Sequence, residues 1–245
     1  MAQFIIRGGR RLAGRHKPPG NKNAALPMLA ACVLTDETVR LHNLPLIDDV
    51  HTMLALLDGI GVSVSLRGHT VELCARGLRS TRLNAALCRK VRSSILFAGA
   101  MAARHGEVVL FPPGGDVIGR RRLDTHFDSL AQLGIAVRTD GSYRFTARNL
   151  RGARSVLDEA SVTATENAVM AATLATGTTT IFNAACEPHV RDLCLMLNRM
   201  GANISSGTHV GDPRLSLRSA NGLAGDLDGD GAAEFIITPD IQRLE

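Results

Sequence analysis

The sequence contains very few aromatic residues and almost no lysine. Its 245 residues include no Trp, one Tyr and seven Phe, although 45% of them are hydrophobic. A chain of this length can bury a sizeable core, which must be built from Ala, Leu, Val, Ile and Met. Lysine occurs only as Lys17, Lys22 and Lys90, so arginine carries most of the positive charge behind the net +5. The arginines reflect either coding bias or a site for phosphate-bearing ligands, because a guanidinium matches phosphate oxygens.

Several patterns that would define other classes of protein are missing. No nucleic-acid-binding motif accompanies the scattered arginines, so we expect no nucleic-acid partner. The five Cys are odd in number and none has CxxC spacing, which favours buried, reduced thiols in a cytoplasmic protein. The segment MAQFIIRGGRRL lacks the apolar core of a signal peptide, and no run is long enough to span a membrane. The Asp- and Gly-rich segment DLDGDG lacks the full calcium-loop pattern, so we expect no metal site.

One pattern recurs three times: a turn, a β-branched strand, a loop, an amphipathic helix, a glycine and a second strand. Its copies lie near 34–65, 103–138 and 174–205. A left-handed residue is favoured after a helix, and the glycines at that point are Gly61, Gly134 and Gly201. An Ala-rich helix precedes each copy, at approximately 23–34, 87–103 and 161–176. The sequence therefore predicts three repeated α/β units, approximately 21–80, 81–150 and 151–220.

The segment GNKNAALP is the first motif that suggests chemistry. A glycine-bounded turn leads into a helix whose first turn contains Lys22 and Asn23. Free N–H groups at a helix N-terminus attract anions, and Lys22 would add a full positive charge. A solvated lysine at a helix start explains the same residues equally well.

The segment PPGGDVIGRRRLD is the second motif and has no counterpart in the other two copies of the repeat. Its Pro and Gly residues allow unusual backbone dihedrals around Asp116, and Arg120, Arg121 and Arg122 follow. Such a loop could hold a phosphate and offer a proton. The alternative is a solvated surface loop whose Asp pairs with a neighbouring Arg.

Two further features lie at predicted helix starts. In DEASVTATEN, small hydroxyl residues such as Ser161 and Thr163 precede an apolar helix, where they either cap it or bind an anion. Arg92 stands at the mouth of another apolar helix, either as a snorkelling side chain or as a phosphate clamp.

These motifs together resemble the UDP-N-acetylglucosamine enolpyruvyl transferase family. The family patterns GxKNAALP, RxS, PGGCxIGxRPxD and SVGATEN appear here as GNKNAALP, RSS from Arg92, PGGDVIGRRRLD and SVTATEN, in the same order. FNAACEPHVRDLCLMLNRMGA also resembles a family stretch, so the resemblance covers essentially the whole chain. The enolpyruvylshikimate-phosphate synthases share the fold but have a Lys-Ser opening and fit less well.

The resemblance implies an inside-out α/β barrel domain of three repeated units, with inner helices and outer sheets. Residues 21–229 would form this three-repeat domain. Residues 1–20 would be a strand segment of a second, mostly absent domain, and 230–245 would begin that second domain. The missing half would supply a carboxylate base and further arginines.

The resemblance also implies an activity, namely transfer of the enolpyruvyl group of phosphoenolpyruvate to the 3-hydroxyl of UDP-N-acetylglucosamine, the first committed step of peptidoglycan precursor synthesis. No metal or organic cofactor is expected. Lys22 matches a phosphoenolpyruvate contact, Asn23 a sugar contact, and Arg92 and Arg121 the anion-binding arginines, with Lys22, Arg121 and Asp116 as the catalytic group. The matching nucleotide cradle comprises Arg121, Arg122, Leu123, Asp124 and Thr125, together with Ser161, Val162 and Thr163.

The chain departs from the family pattern at several positions. Asp116 replaces the usual Cys; a carboxylic acid can deliver the same proton if its pKa is raised, and insensitivity to the thiol-alkylating antibiotic fosfomycin is expected. Arg122 replaces Pro, Glu159 stands where a Lys is usual, and Thr163 replaces Gly. These changes leave two alternatives open: transfer to another uridine nucleotide in a natural-product pathway, or a non-catalytic nucleotide-sugar-binding half. We expect weak nucleotide binding and no turnover by this chain alone.

Overall fold

Three copies of one helix–strand–helix–hairpin unit make up most of the chain. The structure is a computed structural model that describes residues 3, 5–9, 11, 13–115 and 122–206, with the backbone of Leu215–Arg218 and Ala232–Ile236. Each unit places its first helix in the interior and a small sheet at the surface. The predicted repetition is therefore confirmed.

The first unit begins with an apolar helix that is buried almost completely from Ala24 to Ala31. A helix that is apolar on all sides belongs in an interior rather than on a surface. A 3₁₀ turn, Cys32–Leu34, ends it. The elements of this unit are α1 (Lys22–Ala31), β1 (Thr38–His42), α2 (Asp48–Ile60), β2 (Ser63–Arg67) and β3 (Thr70–Cys74).

The second unit shows that the predicted continuous helix over 87–103 was wrong. The chain instead forms α3 (Ala85–Cys88), an extended residue at Val91, a 3₁₀ helix (Arg92–Leu96) and then α4 (Phe97–His105). The Ser94 hydroxyl donates to the carbonyls of Cys88 and Val91, which stabilises the break in the helix. The remaining elements are β4 (Glu107–Leu110), α5 (Asp124–Gln132), β5 (Ile135–Thr139) and β6 (Tyr143–Ala147).

The third unit repeats the arrangement. It contains the amphipathic helix that the sequence pattern predicts between the two strands of the repeat. A proline at the first position of that helix, Pro188, suits a helix start because its missing N–H has no intrahelical partner there. The elements are β7 (Arg154–Val156), α6 (Val162–Ala172), β8 (Thr178–Phe182), α7 (Pro188–Arg199), β9 (Asn203–Ser206) and β10 (Leu215–Arg218).

A parallel pairing extends each of the three antiparallel sheets. The sheet orders are β11-β1-β3-β2, β4-β6-β5 and β7-β8-β10-β9, where β11 is Ala232–Ile236. β7 pairs in parallel with β8, β11 with β1, and a single parallel bridge joins Arg82 to Val109 of β4. The end of the described chain thus returns to the first unit. The sequence assigned 230–245 to a second domain; β11 lies on the sheet of the first unit, and the domain boundaries stay a prediction.

The inner helices α1, α4 and α6 contact one another, and small side chains let their backbones approach closely. Residues 97–102 of α4 and 164–172 of α6 are all buried. The amphipathic helices α2, α5 and α7 cover this core, and the sheets lie outside it. The predicted arrangement of inner helices and outer sheets is confirmed.

The three glycines that follow α2, α5 and α7 adopt the left-handed conformation predicted for them. Their φ angles are 99° at Gly61, 92° at Gly134 and 103° at Gly201. Each glycine lets the chain leave its helix and turn into the next strand.

The cysteines are all free, but only part of the prediction for them is correct. Cys32, Cys88 and Cys194 are buried, and burial raises the pKa of the Cys194 thiol to about 12. Cys186 is exposed because it lies in the turn before α7, and Cys74 is half-buried at the end of β3.

Across the described ranges no cluster of three potential metal ligands occurs, and no helix has the length and apolarity to cross a bilayer.

Candidate active-site cavity

The N-terminal ends of the inner helices open onto one cavity of about 700 Å³, which we call the central cavity. Asn23 and Pro27 of α1 lie on one side, and Arg92 and Leu96 of the 3₁₀ helix before α4 on another. Ser161, Val162, Thr163 and Glu166 at the start of α6 line it as well. The repeat explains this convergence, because equivalent helix ends of the three units meet near their common centre.

The start of α1 is capped beside the central cavity. The side chain of Asn21 caps the helix by accepting from the N–H groups of Asn23 and Ala24 at 2.7 and 3.2 Å. Pro27 has no N–H, so the carbonyl of Asn23, four residues earlier, lacks its usual helical donor. The Asn21 cap fixes the first turn of α1, which holds Asn23 at the cavity wall.

Lys22 takes a different direction from its neighbour Asn23. Its ammonium is 3.0 Å from Asp49 Oδ2 at the start of α2, and both side chains are partly exposed. Lys22 is not among the residues that line the central cavity. An exposed pair of this kind contributes little to stability, so a ligand phosphate could compete for the lysine. The predicted contact of Lys22 with a ligand stays a prediction.

Two arginines form the cationic part of the wall. Arg92 Nη2 donates to the carbonyl of Arg122 at 3.1 Å, which fixes the chain just before α5. The Arg122 guanidinium contacts Asp124 Oδ2 at 2.9 Å and Asp158 Oδ2 at 3.5 Å. The hydrogen bond and charge of Asp124 raise the pKa of Arg122 further, so the group stays charged. A ligand phosphate would share this guanidinium with two carboxylates.

Asp158 connects this segment to the approach to α6. It accepts a hydrogen bond from the Thr125 hydroxyl, which lowers the pKa of the carboxyl, as does the charge of Arg122. Thr125 is buried, and Leu123 packs against the core. Leu123, Asp124 and Thr125 therefore support the wall without lining the cavity themselves.

A buried histidine supports the start of α6 from behind. His126 Nε2 is 3.0 Å from the Thr163 hydroxyl, and His126 Nδ1 is 3.0 Å from Asn167 Nδ2. Burial, with the charge of Arg92, lowers the pKa of His126 to about 3. The ring is therefore neutral at ordinary pH.

The side chain of Ser161 accepts from the N–H of Ala164 at 3.4 Å. It therefore caps α6, which is the capping role that the sequence offered beside anion binding.

Acidic residues occupy another part of the wall. Glu166 is only 1% exposed, and its Oε1 has no hydrogen-bond partner among the described residues. Burial, with the charge of Glu187, raises the pKa of Glu166 well above its ordinary value. Glu187 and His189 line the cavity beside it, as does Glu159. A neutral carboxyl of this kind can donate or accept a hydrogen bond.

The loop after β4 replaces a simpler turn found in the other units. Asn43 and Asn183 follow β1 and β8 in the left-handed conformation, with φ of 58° and 55°. After β4 the chain continues through a loop in which the Gly114 N–H donates to the Cys88 carbonyl at 3.0 Å. A Cβ at Gly115 would lie 3.3 Å from the Arg92 backbone nitrogen. The described part of the loop therefore lies directly against the arginine of the cavity wall.

The structure brings six of the predicted site residues together at the central cavity: Asn23, Arg92, Arg122, Ser161, Val162 and Thr163. Asp116 and Arg121 lie outside the described residues, as does the segment DLDGDG. Sequence reasoning missed His126, Asn167, Glu166 and His189. A Glu within the apolar stretch TATENAVMAA is an unusual residue for an inner helix, and it was the one available signal for Glu166.

The fold and the cavity define an enolpyruvyl-transferase-like α/β domain. A family model described as EPSP synthase (3-phosphoshikimate 1-carboxyvinyltransferase) matches residues 6–215. The chain therefore belongs to this family. A solved structure with the same fold, the enolpyruvyl transferase NikO from Streptomyces tendae, aligns with a TM-score of 0.79 at 22% identity over 96% of this chain and 54% of that one.

Relatives with much higher identity carry a more specific name. The UDP-N-acetylglucosamine 1-carboxyvinyltransferase of Treponema denticola is 50% identical over 245 residues, which is 100% of this chain and 55% of that protein. The protein of the same name from Treponema pallidum is 50% identical over 226 residues, or 92% of this chain and 52% of that protein. The resemblance found in the sequence motifs is confirmed. The chain spans about half the length of these relatives.

Proposed function

We propose that this chain forms one side of the cleft of an enolpyruvyl transferase that moves the enolpyruvyl group of phosphoenolpyruvate to the 3-hydroxyl of UDP-N-acetylglucosamine and releases phosphate. The observation that carries the proposal is the central cavity, where residues from four separate sequence motifs, including Arg92 and Arg122, meet beside helix N-termini. Free helix N–H groups and guanidiniums are suited to phosphate and carboxylate oxygens. The names of the 50%-identical relatives favour the uridine nucleotide over shikimate phosphate as the acceptor.

The residues divide into roles that this addition and elimination requires. Arg92, Arg122 and Arg121 would hold the anionic groups, and Lys22 would leave Asp49 to contact phosphoenolpyruvate. Asn23 would contact the sugar, and the segments 121–125 and 161–163 would hold the nucleotide. Asp116 would deliver a proton to the methylene carbon of the enol ether, which requires a carboxyl with a raised pKa. In support, Gly115, which precedes Asp116, packs on the backbone of Arg92.

The remaining half of the cleft is part of this proposal. We infer that a partner region equivalent to the rest of the relatives' length closes over the cavity and excludes water. The reaction would take place in the cytoplasm and would use no metal or organic cofactor. On its own, the chain would bind the nucleotide weakly and would not catalyse the transfer.

Glu159 favours an alternative proposal, in which another uridine nucleotide replaces UDP-N-acetylglucosamine as the acceptor of the enolpyruvyl group. It lines the central cavity at a position where the family motif usually has Lys, and a carboxylate there disfavours an additional phosphate. A smaller nucleotide such as uridine monophosphate has one phosphate rather than two, so it would be affected less if Glu159 faces the position of the second phosphate.

Isothermal titration of the 245-residue chain with UDP-N-acetylglucosamine and with uridine monophosphate tests the binding part. We expect weak binding that Arg122→Gln reduces further, because the variant removes a charged donor from the wall. Arg67→Gln, at an exposed position on β2, is the matched control and should bind like the wild type. Equal affinity of the two variants for the nucleotide would refute the proposal that the nucleotide binds in the central cavity beside Arg122.

A phosphate-release assay with phosphoenolpyruvate and a panel of uridine nucleotides tests the catalytic part. We expect no turnover by this chain alone, and turnover when a region equivalent to the other half is present. Clear turnover by the purified chain alone would show that the second half of the cleft is not needed.

A further inference from the structure

The hydrogen bonds around His126 determine where its proton lies. His126 is 1% exposed on α5 and contacts two residues of α6: Nδ1 faces Asn167 Nδ2, and Nε2 faces the Thr163 hydroxyl, both at 3.0 Å. An imidazole nitrogen can donate or accept, so the orientation of the Asn167 amide decides between the two tautomers.

The Asn167 amide can be oriented in only one way. Its Oδ1 accepts from the Gly99 N–H at 2.8 Å, and its Nδ2 donates to the Ile95 carbonyl at 3.0 Å. A reversed amide would place two donors together at Gly99 and two acceptors together at Ile95. Asn167 Nδ2 therefore also points a hydrogen at His126 Nδ1.

It follows that His126 Nδ1 carries a lone pair and that the neutral ring has its proton on Nε2. His126 Nε2–H then donates to Thr163 Oγ1, so the hydroxyl acts as an acceptor in this contact. The hydroxyl's own proton must point elsewhere, because an oxygen that accepts along one direction donates along another. Thr163 lines the central cavity, together with Arg92 and Arg122.

We propose that the Thr163 hydroxyl donates a hydrogen bond to a phosphate oxygen of the ligand in the central cavity, and that His126 is the positioning residue that fixes this direction. The inference rests on the proposed function, since it assumes a phosphate-bearing nucleotide in this cavity. The family motif has Gly where this chain has Thr163, so the donor distinguishes this chain from the motif. Asn167, held by Gly99 and Ile95, completes the arrangement.

The first experiment measures the affinity of the 245-residue chain for UDP-N-acetylglucosamine and for uridine monophosphate by isothermal titration. Thr163→Val removes the hydroxyl at nearly constant volume, and we expect the Kd to rise about tenfold for the nucleotide that binds. Thr163→Ser keeps the hydroxyl and should stay within about twofold of the wild type. A Thr163→Val affinity equal to that of the wild type overturns the inference and leaves the proposed function intact.

A double-mutant cycle tests whether His126 acts through Thr163. His126→Leu removes the donor and should weaken binding in the wild-type background but not further in the Thr163→Val background. His126→Gln keeps an amide N–H and should weaken binding less than His126→Leu. An equal loss in both backgrounds would assign His126 a purely structural role and overturn the inference.

A ligand-independent measurement keeps the inference testable if the histidine variants do not fold. Nitrogen-15 NMR of the imidazole in the wild-type chain should show the proton on Nε2 at neutral pH. A proton on Nδ1 overturns the inference. Failure of the wild type to bind either nucleotide counts against the proposed function and also removes the role of Thr163 as a ligand donor.

Discussion

Gly99 of α4 lies in direct backbone contact with Asn167 of α6. Its N–H donates to Asn167 Oδ1 at 2.8 Å, and a Cβ added to Gly99 would lie 2.3 Å from the carbonyl oxygen of Asn167. The inner helices therefore cross at a point where no larger residue fits. The same asparagine fixes the orientation of His126, so the helix crossing and the cavity wall depend on one contact.

We predict that Gly99→Ala destabilises the protein by about 1–3 kcal/mol, because the new methyl group must push α4 away from α6. The measurement is the free energy of unfolding from urea titration. The reorientation of Asn167 should also broaden the His126 NMR signals in this variant.

Gly59→Ala is the matched control, since Gly59 also lies within a helix but a Cβ there would meet nothing within 4 Å. The helix propensity of alanine should stabilise this variant by about 0.5–1 kcal/mol. If the two substitutions changed the stability by the same amount, the proposed tight crossing would be wrong.

The local pattern of the sequence was sufficient to predict the repeated units. Buried Ala-rich stretches indicated the inner helices, and the position after each amphipathic helix required the left-handed glycines Gly61, Gly134 and Gly201. Each of the four motifs indicated at least one residue that lies at the central cavity. The prediction succeeded because helix starts and turns are determined by neighbouring residues.

Contacts between distant segments could not be predicted in this way. Lys22 pairs with Asp49, 27 residues away, and His126 contacts Thr163, 37 residues away. Nothing in the pattern around either residue specifies its partner, because these contacts follow from the packing of whole units. The return of β11 to β1 escaped sequence reasoning for the same reason. The helix break at Val91 was missed for a different reason, because the hydrogen bonds of Ser94 that stabilise it are local and the apolar pattern does not reveal them.

His126 should make the stability of the protein fall as the pH is lowered. The unfolded chain protonates this residue near its ordinary pKa of 6.5, whereas the folded protein holds the pKa at about 3. Between these values the unfolded state binds more protons, so folding stability is lost as pH falls, by up to about 1.4 kcal/mol per pH unit. His126→Gln should flatten this dependence in urea titrations between pH 7 and pH 4.5.

His51→Gln provides the control for that experiment, because His51 is exposed on α2. Its pH dependence should follow that of the wild type. A His126→Gln protein with the wild-type slope would contradict the assignment of a buried, neutral histidine.

Glu166 should have the opposite effect on the pH dependence. Burial, with the charge of Glu187, keeps its folded pKa well above the ordinary value of 4.5, so the folded state binds more protons than the unfolded state above that pH. Its contribution to stability is therefore present at low pH and is lost as the pH rises. Relative to the wild type, Glu166→Gln should be more stable at pH 8 than at pH 5.

Glu159→Gln serves as the comparison, since Glu159 lines the same cavity but is exposed. Its stability relative to the wild type should change little between the two pH values. If Glu166→Gln showed the same small change, Glu166 would have to be ionised in the folded protein.

Asp116 should make the chain insensitive to alkylation at the loop after β4. A thiolate is a far better nucleophile toward an epoxide such as fosfomycin than a carboxylate is, so Asp116→Cys should gain a covalent adduct at residue 116. Intact-mass and peptide mass spectrometry after incubation with fosfomycin measure this directly. The wild type is the control, and its peptide that contains Asp116 should stay unmodified. Its five free cysteines, including the exposed Cys186, report any non-specific alkylation of thiols in the same experiment. An adduct on Asp116 itself would show that the carboxyl is an activated nucleophile and would contradict its assignment as a proton donor.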